Sequence, residues 1–312
     1  MQLALFDDIQ VKTKTKIKWS YSKSDVLNQC ARKFYYKYYG SLKTKALNEP
    51  YKERLIALNR LSNKYMIQGK IIHDVIKNYF KYYKQKKPWD VNKLIWWANK
   101  VYNEAIEYSK KFKIGQDEDN YPPSVFKEIN ILGNSWSEIK EEGEEKITTS
   151  LTNFFNSEKF TFLKTGGELN NSLIEDSTKF TIEDTIKVDG KIDIAFEQNG
   201  LFHIADWKTG KEEYQETSLQ LIIYAFWSIN EQKKILDNIN IFKAYLFINE
   251  LDILKLTETE VLRGKLRIIQ EANKLNVLET FATNSNVDAF SKRNEVAICN
   301  LCPYQEICEK TG

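Results

Sequence analysis

Residues 186–210 read IKVDGKIDIAFEQNGLFHIADWKTG, and this stretch decides the fold class. Just before it, Phe180 to Val188 alternates apolar and polar side chains, the pattern of a half-buried strand. Asp189-Gly190 carries a hairpin signal. Lys191–Phe196 and Leu201–Trp207 then read as two further strands, joined by a turn at Gln198–Gly200. Side chains alternate along a strand, so Asp206 and Lys208 share one face and His203 lies on the other. Asp193 sits on the adjoining strand. Two carboxylates and a lysine therefore converge at one end of a small sheet. Carboxylate oxygens suit hard divalent ions such as Mg2+ or Mn2+, which acidify a bound water and polarise a phosphodiester. A lysine beside them can orient or deprotonate that water and balance developing negative charge. Taken alone, Asp-x-Lys is common and reads as an ordinary ion pair on a solvated hairpin. His203 is assigned no catalytic role.

Working outward, residues 214–229 and 258–275 read as helices and 241–248 as a strand, so the core is mixed α/β. Upstream, Ser22 with Asp25 signals the start of a helix carrying Cys30 and the aromatic-basic run Arg32–Tyr39. A second helix covers about 66–83, with Ile72, Val75, Ile76 and Tyr79 on one face. From 88 to 162 the pattern stays helical, interrupted by the polar, turn-rich Gly115–Pro123. These texture changes divide the chain into a flexible arm (1–18), an N-terminal helical part with Cys30 and His73 (19–84), a large helical insertion (85–165), an α/β core (166–290) and a C-terminal cysteine loop (291–312).

With 312 residues of which 42% are apolar, the chain has the means to bury a substantial core and is not disordered. No apolar run reaches membrane-spanning length, and Met1–Asp8 is not a secretion signal. A cytoplasmic protein with no membrane partner is expected. A net charge of +3 does not by itself argue for nucleic-acid binding. Basic groups would have to cluster, as Arg32, Lys33 and Lys37 do. Interleaved with Tyr35, these could guide a single strand by stacking and phosphate contact, or simply pack as an amphipathic helix. The Lys81–Lys87 run reads as a solvated face.

Gly190-Lys191-Ile192-Asp193, a twelve-residue gap and Asp206-Trp207-Lys208-Thr209-Gly210 resemble motifs II and III of the PD-(D/E)XK nucleases. More narrowly they resemble the RecB-like branch, with G-x-I-D followed by D-[YW]-K-T-G. Gly69-Lys70-Ile71-Ile72-His73 matches that branch's G-x-x-x-H helix, and Gln220-Leu221-Ile222-Ile223-Tyr224 its Q-x-x-x-Y helix. Glu175, in Leu173-Ile174-Glu175, stands where the family often has an acid before the hairpin. The resemblance implies a restriction-endonuclease-like mixed sheet flanked by helices. It also implies that Asp193, Asp206, His73 and the backbone carbonyl of Trp207 hold Mg2+ or Mn2+. Lys208 would handle the nucleophilic water, and Gln220, Tyr224 and Glu175 would shape the site. Independently of any family, Gln220 and Tyr224 are four apart and share a helix face.

Four cysteines are present, three of them in Cys299-x2-Cys302-x5-Cys308 and the fourth, Cys30, far upstream. Such clustering asks for a metal, and the spacing alone suits an iron–sulfur cluster or a structural Zn2+. The RecB-like nucleases include members with one N-terminal cysteine and a C-terminal C-x2-C-x5-C. This resemblance implies a [4Fe–4S] cluster stapling the N-terminal helix to the C-terminal loop. Gln2-Leu3-Ala4-Leu5-Phe6 resembles the Q-L-x-L-F peptide by which bacterial proteins dock on the DNA sliding clamp. The alternative is an arm packed on the protein itself. The expectation is thus a DNA exonuclease working in repair, recombination or phage defence, on DNA that is single-stranded or has free ends. Its partners would be a helicase or defence-system subunit. A non-catalytic DNA-binding or scaffold subunit, an endonuclease and an RNase are the alternatives.

Overall fold

The computed structural model describes residues 17–41, 51–87, 90–113, 124–165, 171–210, 218–283 and 287–310. Strand β1 (Ile17–Ser20) leads directly into α1 (Tyr21–Gln29). Residues 17 and 18, expected in the arm, are therefore part of a strand, and the rest of the arm lies outside the described residues. The helix starts earlier than Ser22 signalled: extended Ser20 is the cap and accepts from the Lys23 N–H at 3.3 Å. Helix α2 (Ala31–Tyr35) continues as a π-helical turn, Tyr36–Gly40. After α3 (Lys52–Leu58) and β2 (Leu61–Ser62) comes the long α4 (Lys64–Lys84), capped by Asn63, whose side chain accepts from the Met66 N–H at 2.8 Å.

The 85–165 stretch supplies α5 (Val91–Lys111), β3 (Val125–Phe126), α6 (Lys127–Asn130), α7 (Trp136–Asn156) and α8 (Thr161–Thr165). Then follow β4 (Leu173–Ile174), β5 (Ser177–Ile182), β6 (Ile186–Lys191), β7 (Ile194–Gln198) and β8 (Leu201–Lys208). Helix α9 (Leu219–Asn230) crosses to β9 (Ile239–Tyr245), which turns into β10 (Glu250–Leu254). The chain closes with α10 (Glu258–Thr283), α11 (Val296–Cys299) and α12 (Gln305–Lys310).

The main sheet has the order β10-β9-β8-β7-β4, with β8 and β9 parallel and the other pairs antiparallel. A second sheet has the order β1-β6-β5. Asp189-Gly190 is not the hairpin turn. Both residues lie inside β6, and the turn falls at Glu183 and Asp184, with φ of 49° and 55°. Glycine is needed at 190 for closeness instead: a Cβ there would collide with Thr178 Oγ1 and approach Ile223 Cγ2 to 3.2 Å. Nor does one strand run through Asp193. The chain leaves the small sheet after Lys191 and enters the large one at Ile194, so Ile192-Asp193 forms a corner.

Alternation along β8 sorts its two faces. Phe202 and Ile204 join Ile241, Leu221 and Ile268 in a core beneath α9 and α10. Ala205 and Trp207 join Phe196, Phe80, Phe154 and Phe160 in a second core beneath α4, α5 and α7. The Trp207 indole lies parallel to Phe80 (interplanar 13°) and edge-on to Phe154. The helices of 85–165 thus form one of the two layers enclosing the main sheet, a mixed sheet flanked by helices. Among the described residues, no helix is long and apolar enough to cross a membrane.

Candidate active site

The end of β8, the Ile192-Asp193 corner, α4 and α9 meet at one place. The Asp193 carboxylate accepts the Trp207 N–H at Oδ2 (2.7 Å) and faces His73 Nδ1 through Oδ1 (3.1 Å). His73 Nε2 faces the Trp207 carbonyl at 3.0 Å. Glu175 approaches His73 Nδ1 to 3.8 Å, and donor atoms of His73, Glu175 and Asp193 all lie within 4.8 Å of one another. Glu175 has a φ of 52°, a left-handed conformation that costs a non-glycine residue about 1 kcal/mol or more. The surrounding structure holds it there: its N–H bonds the Asp193 carbonyl at 2.9 Å, and its carboxylate pairs with Lys191.

Asp206 and Lys208 are organised from the opposite side. Asp206 Oδ1 takes the Gln220 amide at 3.0 Å and lies 2.9 Å from the Tyr224 hydroxyl. Gln220 Nε2 also reaches that hydroxyl, at 2.6 Å, and its Oε1 accepts from Lys208 Nζ at 3.1 Å. Tyr224 is 3.1 Å from the Lys191 carbonyl, which ties α9 to β6. The α9 start that aims Gln220 is capped by Ser218 (3.3 Å). Asp206 Oδ2 is buried and accepts no hydrogen bond; Lys208 Nζ stands 2.6 Å away, close enough for an ion pair but not aligned as a donor.

The charges follow from this packing. Burial alone would lower the His73 pKa, but Asp193, Glu175 and Asp206 hold it up, at about 10. Burial pushes Asp193 upward against the pull of His73. Glu175 is lowered, because His73 and Lys191 outweigh its burial. Lys208 is raised, its burial being outweighed by Asp206. Burial and the two aspartates carry Tyr224 well above the usual phenol range. The His73 ring thus meets the carboxylates through Nδ1 and the Trp207 carbonyl through Nε2. The donor set of His73, Glu175 and Asp193, with the Trp207 carbonyl next to His73, fits a hard divalent ion.

His203 lies apart, buried on the other face of β8 among Phe162, Phe196 and Phe242, and burial lowers its pKa. Lys191 and Ser218 were not singled out in the sequence. Lys191 was legible only as the variable residue of Gly-x-Ile-Asp, and Ser218 as an ordinary helix cap.

The four cysteines line a single cavity of about 230 Å3, together with Arg32, Lys33 and Lys292. Burial raises the Cys302 and Cys308 thiols; neighbouring sulfurs add to the rise, and the Lys33, Lys292 and Arg32 charges oppose it. These cations offset thiolate charge, which fits a metal centre. The basic run departs from a strand-guiding surface. Arg32 is buried, with Nε donating to the Phe290 carbonyl (2.8 Å) and a second nitrogen on Asp288 (3.3 Å). Tyr35 is fully buried against Phe290 (4.9 Å between centroids). Both are spent on docking the C-terminal segment, so neither is placed to meet DNA. Lys33 and Lys37 are half-buried, and Lys33 donates to Gln29 at 2.9 Å. Gln2, Leu3, Leu5 and Phe6 lie outside the described residues.

A family model described as the PD-(D/E)XK nuclease superfamily matches residues 18–309. A comparison with curated proteins found no match.

Proposed function

Because the chain belongs to the PD-(D/E)XK nuclease superfamily, we propose that it is a metal-dependent DNA nuclease, an exonuclease of the RecB-like branch. The observation that carries this reading is the convergence of His73, Asp193, the Trp207 carbonyl and the Asp206–Lys208 pair at one sheet end. A Mg2+ or Mn2+ ion held by His73, Asp193, Asp206 and the Trp207 carbonyl would polarise the phosphodiester and acidify the attacking water. Lys208 presents its ammonium beside that position and balances charge building on the phosphate. Gln220 and Tyr224 hold Asp206 and Lys208 in register, and Glu175 with Lys191 fixes the His73 ring. The test is incubation with linear and circular DNA, single- and double-stranded, in Mn2+ and in EDTA. Wild type cuts linear DNA only with the ion, and Asp206→Ala abolishes cutting while its unfolding transition survives. Equal cutting by that variant overturns the assignment.

The narrower branch is supported by His73 on α4, by Gln220 and Tyr224 on the helix after the lysine, and by the four cysteines around one cavity. Four thiolates suit a structural Zn2+, but the resemblance of the cysteine spacing to the RecB-like pattern favours a [4Fe–4S] cluster there. Its role is a staple between the N-terminal helices and the C-terminal loop. A brown protein that bleaches in air supports it; a colourless one prepared anaerobically with one zinc per chain overturns it. The setting we propose is DNA repair, recombination or phage defence beside a helicase or defence subunit. Gln2–Phe6 would dock on a sliding clamp. A pull-down in which Leu5→Ala with Phe6→Ala leaves clamp capture unchanged rejects that contact.

A further inference from the structure

A cavity of about 460 Å3 adjoins the catalytic centre on its α4–α7 side. Tyr65 and Gln68 of α4, Glu142, Glu145 and Lys146 of α7, and Phe247 line it, together with Thr209 and Gly210 just beyond Lys208. Tyr65, Gly69 and His73 recur at four-residue spacing, so they share a stripe along α4. The stripe leads from the cavity to the catalytic histidine over about 12 Å, eight residues of helical rise.

The lining has the chemistry of a base site. Tyr65 is 59% exposed, a large ring left open in the first turn of α4 beside the equally exposed Met66. Lys146 lies 5.0 Å from its centroid and 5.7 Å from that of Phe247, joining the two rings through one ammonium. Gln68 is buried to 1%, and its Oε1 has no hydrogen-bond partner; its amide nitrogen reaches only the Tyr102 hydroxyl, at 3.4 Å. A buried, unmatched acceptor asks for an N–H donor. Glu142 pairs with Lys64, while Glu145 stands exposed at the rim. Carboxylates at the edge disfavour a phosphate inside the cavity and leave a neutral, planar group with N–H donors as the better occupant.

We propose that this cavity receives a nucleobase of the DNA strand being cut, stacked on Tyr65 with its N–H edge toward Gln68. The inference rests on the nuclease reading for its ligand and adds the determinant that positions the strand. The α4 stripe places the base within about four stacked nucleotide spacings of the scissile phosphate.

The test uses the full chain and single-stranded oligonucleotides carrying one 2-aminopurine at successive positions, titrated in EDTA so that binding is read without cleavage. Wild type quenches the probe at one position near the cut end. Tyr65→Ala loses that quenching and binds about tenfold more weakly, while Tyr65→Phe keeps both. In Mn2+, one abasic nucleotide at the same position raises the wild-type KM by a similar factor with kcat held, and Tyr65→Ala no longer senses it. Position-independent quenching, or a Tyr65→Ala protein that quenches as wild type does, overturns the base pocket. Failure of wild type to cut any oligonucleotide would sink the nuclease reading instead, with the EDTA titration still deciding the pocket.

Discussion

Replacing Tyr224 by Phe removes a single oxygen and leaves the ring in place, so no cavity confuses the result. That oxygen lies 2.9 Å from Asp206 Oδ1, 2.6 Å from Gln220 Nε2 and 3.1 Å from the Lys191 carbonyl. Asp206 is 2% exposed, so water does not replace the lost donor. A hydrogen bond to a buried charged acceptor contributes about 1.5–3 kcal/mol. The Gln220 amide still serves the same oxygen, which favours the lower end of that range. Expressed on the chemical step, this is a fall in kcat of about 10- to 30-fold. Stability should drop by about 1 kcal/mol, since the Lys191 carbonyl loses its neighbour. Single-turnover cleavage of an end-labelled oligonucleotide in Mn2+ reads the first quantity, and urea unfolding the second. Because Gln220 and Tyr224 act on one carboxylate oxygen, Gln220→Ala and the double variant should be non-additive by about 1 kcal/mol. A Tyr224→Phe protein within two-fold of the wild-type kcat, or fully additive losses, would refute the view that α9 holds Asp206 in its working position.

Gly190→Ala should cost about 1–3 kcal/mol in urea midpoints, because its Cβ collides with Thr178 and presses toward Ile223. Adding Thr178→Ala should recover most of that loss, and a single variant as stable as wild type would contradict the close approach. Cys302→Ser should strip iron and lower stability by on the order of 4 kcal/mol, the scale of closing a long loop; iron and sulfide analysis with a thermal melt checks both. Burial holds His203 below its ordinary value of 6.5, so below that pH the unfolded chain takes up the proton first. Stability should therefore fall from about pH 7 to about pH 5, and His203→Phe should flatten that slope in paired urea titrations.

The strand ending in Asp206 and Lys208 was legible because it is short and rich in apolar residues and its turn at Gln198–Gly200 is locally encoded, with Asn199 and Gly200 at φ of 53° and 75°. Helix α4 was legible from its apolar stripe of Ile72, Val75, Ile76 and Tyr79, while its Asn63 cap emerged only in the structure. The corner at Asp193 was not. Ile192 and Ile194 are both fully buried, so the apolar pattern runs unbroken through a change of sheet. Asp189-Gly190 drew the turn signal because glycine answers two demands, positive φ and close approach, and only a long-range neighbour tells them apart. The fate of Arg32 depends on the Phe290 carbonyl, 258 residues away, which leaves no local trace. The layer role of residues 85–165 likewise depends on pairs such as Phe154 with Trp207.

The contacts between the two ends of the chain bear on how the molecule is made. Strand β1 pairs in parallel with β6, and the Arg32 N–H bonds the Ser291 carbonyl at 3.1 Å. Phe290, fully buried, is enclosed by Phe34, Tyr35 and Tyr39. A ribosome that has emitted residues 34–39 has thus produced aromatic surface whose cover, Phe290, emerges about 250 residues later. Closure of this part of the fold waits for residue 290 to emerge, and the exposed rings are an aggregation hazard until then. Truncations that remove residues from 287 onward should therefore yield insoluble chains even though the catalytic strands are complete.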